Sequence, residues 1–189
     1  MSRLLQIAQL GHPILRQAAQ EIETIQVPDL QLLISDMLAT VIDANGVGIA
    51  APQVYQSKRL FIISSKPNPR YPYAPTMDPM VMINPSITWK STEMETDWEG
   101  CLSIPGLRGL VPRHQSIEVL YFTTGNEQVT ATYEGFIARV FQHEFDHLEA
   151  ATDKRSANTL VFTQNGPRPL TNSIAIRIKN AGNAVIVMR

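Results

Sequence analysis

The residues with the clearest chemical potential lie in His143-Glu144-Phe145-Asp146-His147. This segment matches the pattern His-Glu-x-x-His, in which a helix places both imidazoles one turn apart on the same face. Both rings can then bind one metal ion, while the glutamate can reach a metal-bound water without binding the ion itself. Glu144 would then be the general base of a hydrolytic site. The alternative is a surface helix with two incidental histidines, because matches of this length also arise by chance.

A catalytic metal site needs a third protein ligand and one open position. No later histidine or glutamate stands at metalloprotease spacing, so Cys101 is the obvious candidate for that ligand. It is the single cysteine of the chain, which excludes an internal disulfide and a secreted disulfide scaffold. Cys101 lies in the turn-forming stretch Glu-Gly-Cys-Leu-Ser-Ile-Pro-Gly at residues 99–106. A buried hydrophobic residue, a nucleophile and a metal ligand all remain open for it.

A third segment, Gly-Val-Gly-Ile-Ala-Ala-Pro-Gln at residues 46–53, combines small residues with one amide. Its two glycines let the backbone approach a ligand closely, because no side chain stands in the way. Gln53 then supplies an amide donor. Taken alone, this segment is explained as a structural loop that leads into a strand of small residues.

Two helices are predicted to position these residues. From Pro28 to Gly46 apolar residues recur at helical spacing, with Asp29 as the N-cap and Asn45-Gly46 as the stop signal. A second helix from about Glu134 to Leu148 has an apolar face and contains the two histidines.

Short segments rich in β-branched and aromatic residues predict strands between and before these helices. They are Arg59–Ser64, Met80–Asn84, Ser116–Phe122 and Val129–Tyr133. Gly125-Asn126 predicts a hairpin turn between the last two strands, and residues 66–79 predict a Pro-rich surface loop. The segments 174–178 and 184–188 predict another hairpin. The elements together predict an α+β fold.

Bulk properties narrow the class of protein. A chain of 189 residues with 44% hydrophobic residues predicts one catalytic domain over residues 1–189. The net charge of -1 provides no electrostatic footprint for nucleic acid or anionic lipid, so neither is expected as a partner. No stretch approaches the roughly 18 apolar residues of a membrane span, and Met1 to Leu10 lacks the regions of a secretory signal. We therefore expect a cytoplasmic protein.

Three segments together resemble the signature motifs of the peptide deformylases. They are residues 46–53, Glu-Gly-Cys-Leu-Ser at residues 99–103, and Gln-His-Glu-Phe-Asp-His at residues 142–147, in the family's order and rough spacing. Leu15-Arg16 after Gly11-His12-Pro13 and Val111-Pro112-Arg113 are also similar to that family. The resemblance covers about residues 4–149. The tail from 150 to 189 is divergent, because Glu149-Ala150-Ala151 stands where the family usually has a glycine and an apolar pair.

The resemblance implies short, mostly antiparallel strands wrapped around a central metal-binding helix. It implies a tetrahedral Fe²⁺, for which Zn²⁺, Ni²⁺ or Co²⁺ can substitute, bound by Cys101, His143, His147 and water. The implied reaction is hydrolysis of the formyl group from the N-terminal formyl-methionine of nascent polypeptides, at the ribosome, with release of formate. We expect the enzyme to be a monomer.

The resemblance also implies roles around the metal. The Gln53 side chain and the Leu102 backbone N–H would stabilise the oxyanion, beside Glu144 as the acid–base group. Gly48 would hydrogen-bond the substrate backbone. An apolar pocket for the methionine side chain would comprise Val47, Phe136 and Ile137, although ordinary core packing explains these three equally well.

Asp146 is expected to face away from the metal, with Arg113 as its counter-charge, or else to be an incidental surface acid. Two other functional classes remain open. A zinc endopeptidase shares the His-Glu-x-x-His helix but would use a downstream ligand in place of Cys101. A non-catalytic homologue would keep the fold as a binding module, which the retention of Cys101, His143, Glu144, His147 and Gln53 argues against.

Overall fold

The computed structural model describes residues 2–150 and the backbone of three C-terminal strands. In chain order the helices and strands are α1 (Pro28–Asp43), β1 (Gly48–Ala50), β2 (Leu60–Ile63), β3 (Met80–Lys90), β4 (Met94–Cys101), β5 (Ile104–His114), β6 (Ser116–Phe122), β7 (Gln128–Glu134), α2 (Gly135–Leu148), β8 (Leu160–Thr163), β9 (Ile174–Lys179) and β10 (Asn183–Met188). Within this described part, neither helix combines the length and apolar character that a membrane crossing needs.

The strands form two antiparallel sheets, with the orders β1-β2-β3-β6-β7 and β10-β9-β8-β5-β4. The predicted hairpin β6–β7 turns at Asn126, whose φ of 64° is left-handed. The predicted hairpin of the tail, β9–β10, is confirmed as well. The α+β fold class is confirmed.

Strand β2 lies between the two helices, because successive side chains of a strand point to opposite faces. Leu60 and Ile62 are buried in the cluster that contains the apolar face of α1. Phe61 and Ile63 are buried in the cluster that contains the apolar face of α2. The first sheet therefore packs between the helices.

Helix α2 contacts β1, β2 and β7 of the first sheet and β5 of the second sheet. It follows β7 without an intervening loop. Gly135 makes this possible, since its φ of 54° is a left-handed conformation that glycine adopts without steric cost. Helix α2, which contains the two histidines, therefore packs against strands of both sheets.

Three sequence predictions need correction. Asp29 does not cap α1: the N-cap is Val27, without a side-chain hydrogen bond, and Pro28 begins the helix with its pre-set φ. Strand β3 does not end at Asn84 but continues to Lys90, because a register shift between Ile83 and Ser86 accommodates the Asn-Pro pair.

The third correction concerns the stretch around Cys101. The sequence predicted a turn-forming stretch there but no strands; the turn is present at residues 102–103, and residues 94–114 around it form the long hairpin β4–β5. This segment was not predicted as strands because it is rich in glycine, proline and charged residues, which are uncommon in strands. Strand β8 was also not predicted, and the remaining residues of the tail that the sequence singled out, such as Ala151, lie outside the described residues.

Candidate metal centre

Three side chains with metal-binding atoms meet between β4 and α2. Cys101 is the last residue of β4, and His143 and His147 lie one turn apart on α2. Their ligand atoms all lie within 4.8 Å of one another, and Cys101 Sγ is 3.3 Å from His147 Nε2. One sulfur and two imidazoles form a donor set that suits tetrahedral transition-metal ions.

The charge state of Cys101 suits a metal ligand. Burial alone would raise the pKa of its thiol, but His147 and His143 outweigh burial and hold that pKa well below its usual value. Burial would likewise lower the pKa of His143, but Cys101 and Glu99 outweigh it and raise that pKa. The thiolate, which is the form that binds metals, is therefore favoured.

Glu99 orients the first histidine. Its Oε2 lies 3.0 Å from His143 Nδ1, which leaves Nε2 of that ring for a metal. Arg113 donates to both oxygens of Glu99, from Nε at 2.8 Å and from Nη2 at 2.9 Å. Burial opposes ionisation of this carboxyl, yet Arg113 and His143 hold the pKa of Glu99 well below its usual value.

Glu144 lies next to the ligand cluster and is only 4% exposed. Its Oε2 is buried and has no hydrogen-bond partner among the described residues. Burial raises the pKa of Glu144 to about 7, although His143 and His147 act in the opposite direction. A buried, unpartnered carboxylate oxygen beside a sulfur–imidazole cluster fits a site that holds a divalent metal and its water.

Gly48 makes room for Glu144. A Cβ atom at residue 48 would lie 2.5 Å from Glu144 Oε1, closer than real Cβ contacts. The sequence assigned the glycine to a close approach by substrate; the structure shows that it also allows β1 to approach the Glu144 carboxylate.

Gln53 points its amide toward the cluster. Its Oε1 accepts a hydrogen bond from the Ala50 N–H at 2.8 Å, which fixes the orientation of the amide. Its Nε2 donates to Ser103 Oγ at 3.2 Å and lies 3.5 Å from Cys101 Sγ. The N–H donors of Gln53 are thus held beside the sulfur.

A cleft opens onto Glu144 and His143. The other predicted site residues that line it are Val47, Gly48, Gln53, Leu102 and Phe136. Ile137 is not among the lining residues; it packs against the core cluster that also contacts Val47 and Phe136. Cys101 and His147 line a second cavity.

Asp146 is 3% exposed and accepts a hydrogen bond from Arg113 Nη1. The expected counter-charge is therefore present, and a surface acid is excluded. Arg113 thus connects the acid of α2 with Glu99, the residue that orients His143.

Sequence reasoning did not single out Glu99 or Arg139 as site residues, although their positions carried a signal. Glu99 precedes Cys101 by two residues, so both side chains point to the same face of β4. Arg139 precedes His143 by four residues and lies on the same face of α2. Both are buried.

The Pro-rich loop also contributes to the cleft, which the sequence did not indicate. Tyr71 accepts a hydrogen bond from the Gly100 N–H at 2.8 Å, and its ring packs edge-on against Phe136. The guanidinium of Arg108 lies over the same ring, 4.9 Å from its centre. Arg70, which also lines the cleft, donates to the carbonyl oxygen of Asn45 at 2.8 Å.

Comparison with known proteins gives concordant matches. The model of the family described as "Polypeptide deformylase" matches residues 4–159, beyond residue 149 where the resemblance was expected to end. Peptide deformylase 2 of Nostoc sp. is 55% identical over 163 residues, which are 85% of this chain and 91% of that protein. Peptide deformylase 2 of Shewanella oneidensis is 47% identical over 148 residues, 78% of this chain and 81% of that protein.

A solved structure is similar over most of the described chain. It is the Met-Ala-Ser-bound crystal structure of the class I type b peptide deformylase from Acinetobacter baumannii. The similarity has a TM-score of 0.77 and 47% sequence identity, and covers 79% of this chain and 96% of the other.

Proposed function

The chain belongs to the polypeptide deformylase family, and on this premise we propose that its site hydrolyses the formyl group of N-terminal formyl-methionine in nascent polypeptides, releasing formate. The observation that carries this proposal is the buried, unpartnered Oε2 of Glu144 beside the Cys101, His143 and His147 cluster. This carboxylate oxygen can accept and donate a proton. It need not break a hydrogen bond to another described residue to do so.

Cys101, His143 and His147 would hold the metal ion. When bound, the ion supplies Lewis-acid chemistry, polarising the formyl oxygen and making a water molecule acidic enough to act as a nucleophile near neutral pH. We propose Fe²⁺ as the native ion, with Zn²⁺, Ni²⁺ or Co²⁺ as substitutes that the same donor set accepts.

Because a ferrous ion beside a thiolate is open to oxidation, the iron form should lose activity in air faster than the nickel form. Equal lifetimes in air would contradict this assignment.

The protein's own groups divide the chemistry between them. Glu144 accepts a proton from the attacking water and then donates it to the leaving amine of methionine. The Gln53 amide and the Leu102 backbone N–H donate to the oxyanion of the tetrahedral intermediate, each contributing roughly 3 kcal/mol of stabilisation. The hydrogen bond from the Ala50 backbone N–H to Gln53 Oε1 orients the amide so that its N–H donors face the reaction centre.

The cleft would bind the N-terminal end of the substrate. Gly48 offers its backbone to the peptide, and Val47 and Phe136 supply apolar walls for the methionine side chain. Ile137 does not line the cleft. It would support Val47 and Phe136 indirectly, because all three side chains pack against the same core cluster. The Met-Ala-Ser bound to the Acinetobacter baumannii enzyme supports this proposal, because deformylation of formyl-Met-Ala-Ser yields that peptide.

The test is release of formate from formyl-Met-Ala by anaerobically purified protein, with metal analysis of the same sample. We expect turnover and about one metal ion per chain. Protein that cleaves internal peptide bonds but leaves formyl-Met-Ala intact would be a zinc endopeptidase. Protein that binds metal and turns over neither substrate would be a binding module.

We propose further that the enzyme acts in the cytoplasm, on chains emerging from the ribosome, and as a monomer. The substrate supports the first two points, since formyl-methionine is the start of a nascent chain. Cell fractionation, co-sedimentation with ribosomes and light scattering of the purified protein test the three points separately.

A further inference from the structure

The proposed ligands come from two different parts of the fold. Cys101 ends β4 in the second sheet, whereas His143 and His147 belong to α2. Local geometry fixes the spacing of the two histidines but not their distance from the cysteine. Contacts between the β4–β5 hairpin and α2 must therefore set that distance.

Arg139 makes such contacts with both strands of the hairpin. It lies one turn before His143 on α2 and is 5% exposed. Its Nη2 donates to the carbonyl oxygen of Glu95 on β4 at 2.7 Å, and its Nη1 donates to that of Val111 on β5 at 2.8 Å. One guanidinium thus bridges the helix to two paired strands.

The same guanidinium reaches the carboxylate that orients His143. Arg139 Nη1 donates to Glu99 Oε1 at 3.0 Å, and Arg113 donates to both oxygens of the same carboxylate. With Asp146, these residues form a buried group of two cations and two anions. Removing Arg139 would leave an uncompensated buried negative charge beside the metal site, which is strongly unfavourable.

We propose that Arg139 is a positioning residue of the metal centre: it ties the hairpin that carries Glu99 and Cys101 to the helix that carries both histidines. In this way it holds one sulfur and two imidazoles at a separation that suits a single metal ion. This inference rests on the proposed ligand set.

The test compares Arg139→Met with the unmodified enzyme, since methionine has a similar length and helix propensity but no charge or donor. The dissociation constant for Co²⁺ is measured by chelator competition, and the thiolate-to-Co²⁺ absorption band reports the geometry at Cys101. We expect the variant to fold without metal, to bind Co²⁺ about 10- to 100-fold more weakly, and to show a shifted band.

Leu30→Ala is the control for a loss of stability alone, because Leu30 is buried in the α1 cluster and touches none of these residues. It should lower the melting temperature and leave Co²⁺ affinity and the absorption band unchanged. Arg139→Lys keeps the charge but not the planar fork of donors, so we expect a several-fold weaker affinity for Co²⁺.

Unchanged affinity and an unchanged band in Arg139→Met would overturn the proposal, as would equal effects in Leu30→Ala. If Arg139→Met does not fold, Arg139→Lys decides, and Co²⁺ affinity equal to that of the unmodified enzyme overturns the proposal. Failure of the ligand set itself has a different signature: Cys101→Ala would then bind Co²⁺ as tightly as the unmodified enzyme.

Discussion

Glu144 and Cys101 lie next to each other, and we propose different chemical roles for them. Cys101 offers a sulfur whose thiolate is stabilised by two imidazoles, which is the property of a ligand. Glu144 offers a carboxylate with one unpartnered oxygen and a pKa raised by burial to about 7, which suits a group that exchanges protons near neutrality. Substitutions at the two positions should therefore affect different measurements.

Glu144→Gln should separate chemistry from metal binding. Glutamine keeps the size and helix propensity of the residue while removing the base. We expect normal metal content and a normal fold, with turnover of formyl-Met-Ala lower by about two to four orders of magnitude. Turnover near that of the unmodified enzyme would show that the acid–base assignment is wrong. Loss of metal would instead make Glu144 a ligand.

Cys101→Ala should abolish stoichiometric metal, because it removes one of the three proposed protein ligands. Ser103→Ala is the matched control: Ser103 is buried two residues further along and contacts Gln53, but it is not a ligand. It should retain metal and lose part of its turnover, because the Gln53 amide loses a partner. Metal analysis of both purified variants decides, and a full metal content in Cys101→Ala would end the ligand assignment.

The Pro-rich loop at residues 66–79 illustrates how an element without regular structure completes a site. Tyr71 connects it to β4 through Gly100, to α2 through Phe136 and to β5 through Arg108. Gly100 directly precedes Cys101. The loop is therefore held against the wall of the cleft by contacts with three separate elements.

Tyr71→Ala should loosen this wall of the cleft without disturbing the metal. We expect a higher KM for formyl-Met-Ala, with metal content unchanged, because Tyr71 lines the cleft and is not one of the three proposed ligands. Tyr73→Ala, on the same loop but 97% exposed, should behave as the unmodified enzyme. Steady-state kinetics of the pair test this, and equal KM values for all three proteins would contradict it.

The proposed metal centre joins parts of the chain that are distant in sequence, since Cys101 belongs to the second sheet and His147 belongs to α2. A metal bound by both in the native state adds to stability by mass action, because the unfolded chain has no preformed site. The single catalytic domain over residues 1–189 stays a prediction. Thermal unfolding, followed by calorimetry with and without metal, tests both the metal site and the single domain.

A metal present at 100 times its Kd should stabilise the native state by about 2.7 kcal/mol. In a chain of this size, removing the metal with a chelator should therefore lower the melting temperature by about 5 to 10 °C. We expect one cooperative transition by calorimetry in both forms. A melting temperature independent of metal would contradict the bridging site, and two separate transitions would contradict the single domain.

The sequence alone predicts those features of this protein that depend on residues close together in the chain. The spacing of His143 and His147 determines that both rings share one face of α2, since a helix repeats every 3.6 residues. The two runs rich in β-branched and aromatic residues likewise predict β6 and β7, which the structure confirms. The three motifs determine the family, which the comparisons confirm.

Only the tertiary structure decided how these pieces meet. Arg139 binds Glu95, which is 44 residues away in sequence, and Tyr71 binds Gly100, which is 29 residues away. No periodicity encodes such pairs, because they depend on how the β4–β5 hairpin packs against α2 and the loop. The same reason explains the missed hairpin: its strands are stabilised by each other and by buried arginines, not by an apolar pattern of their own.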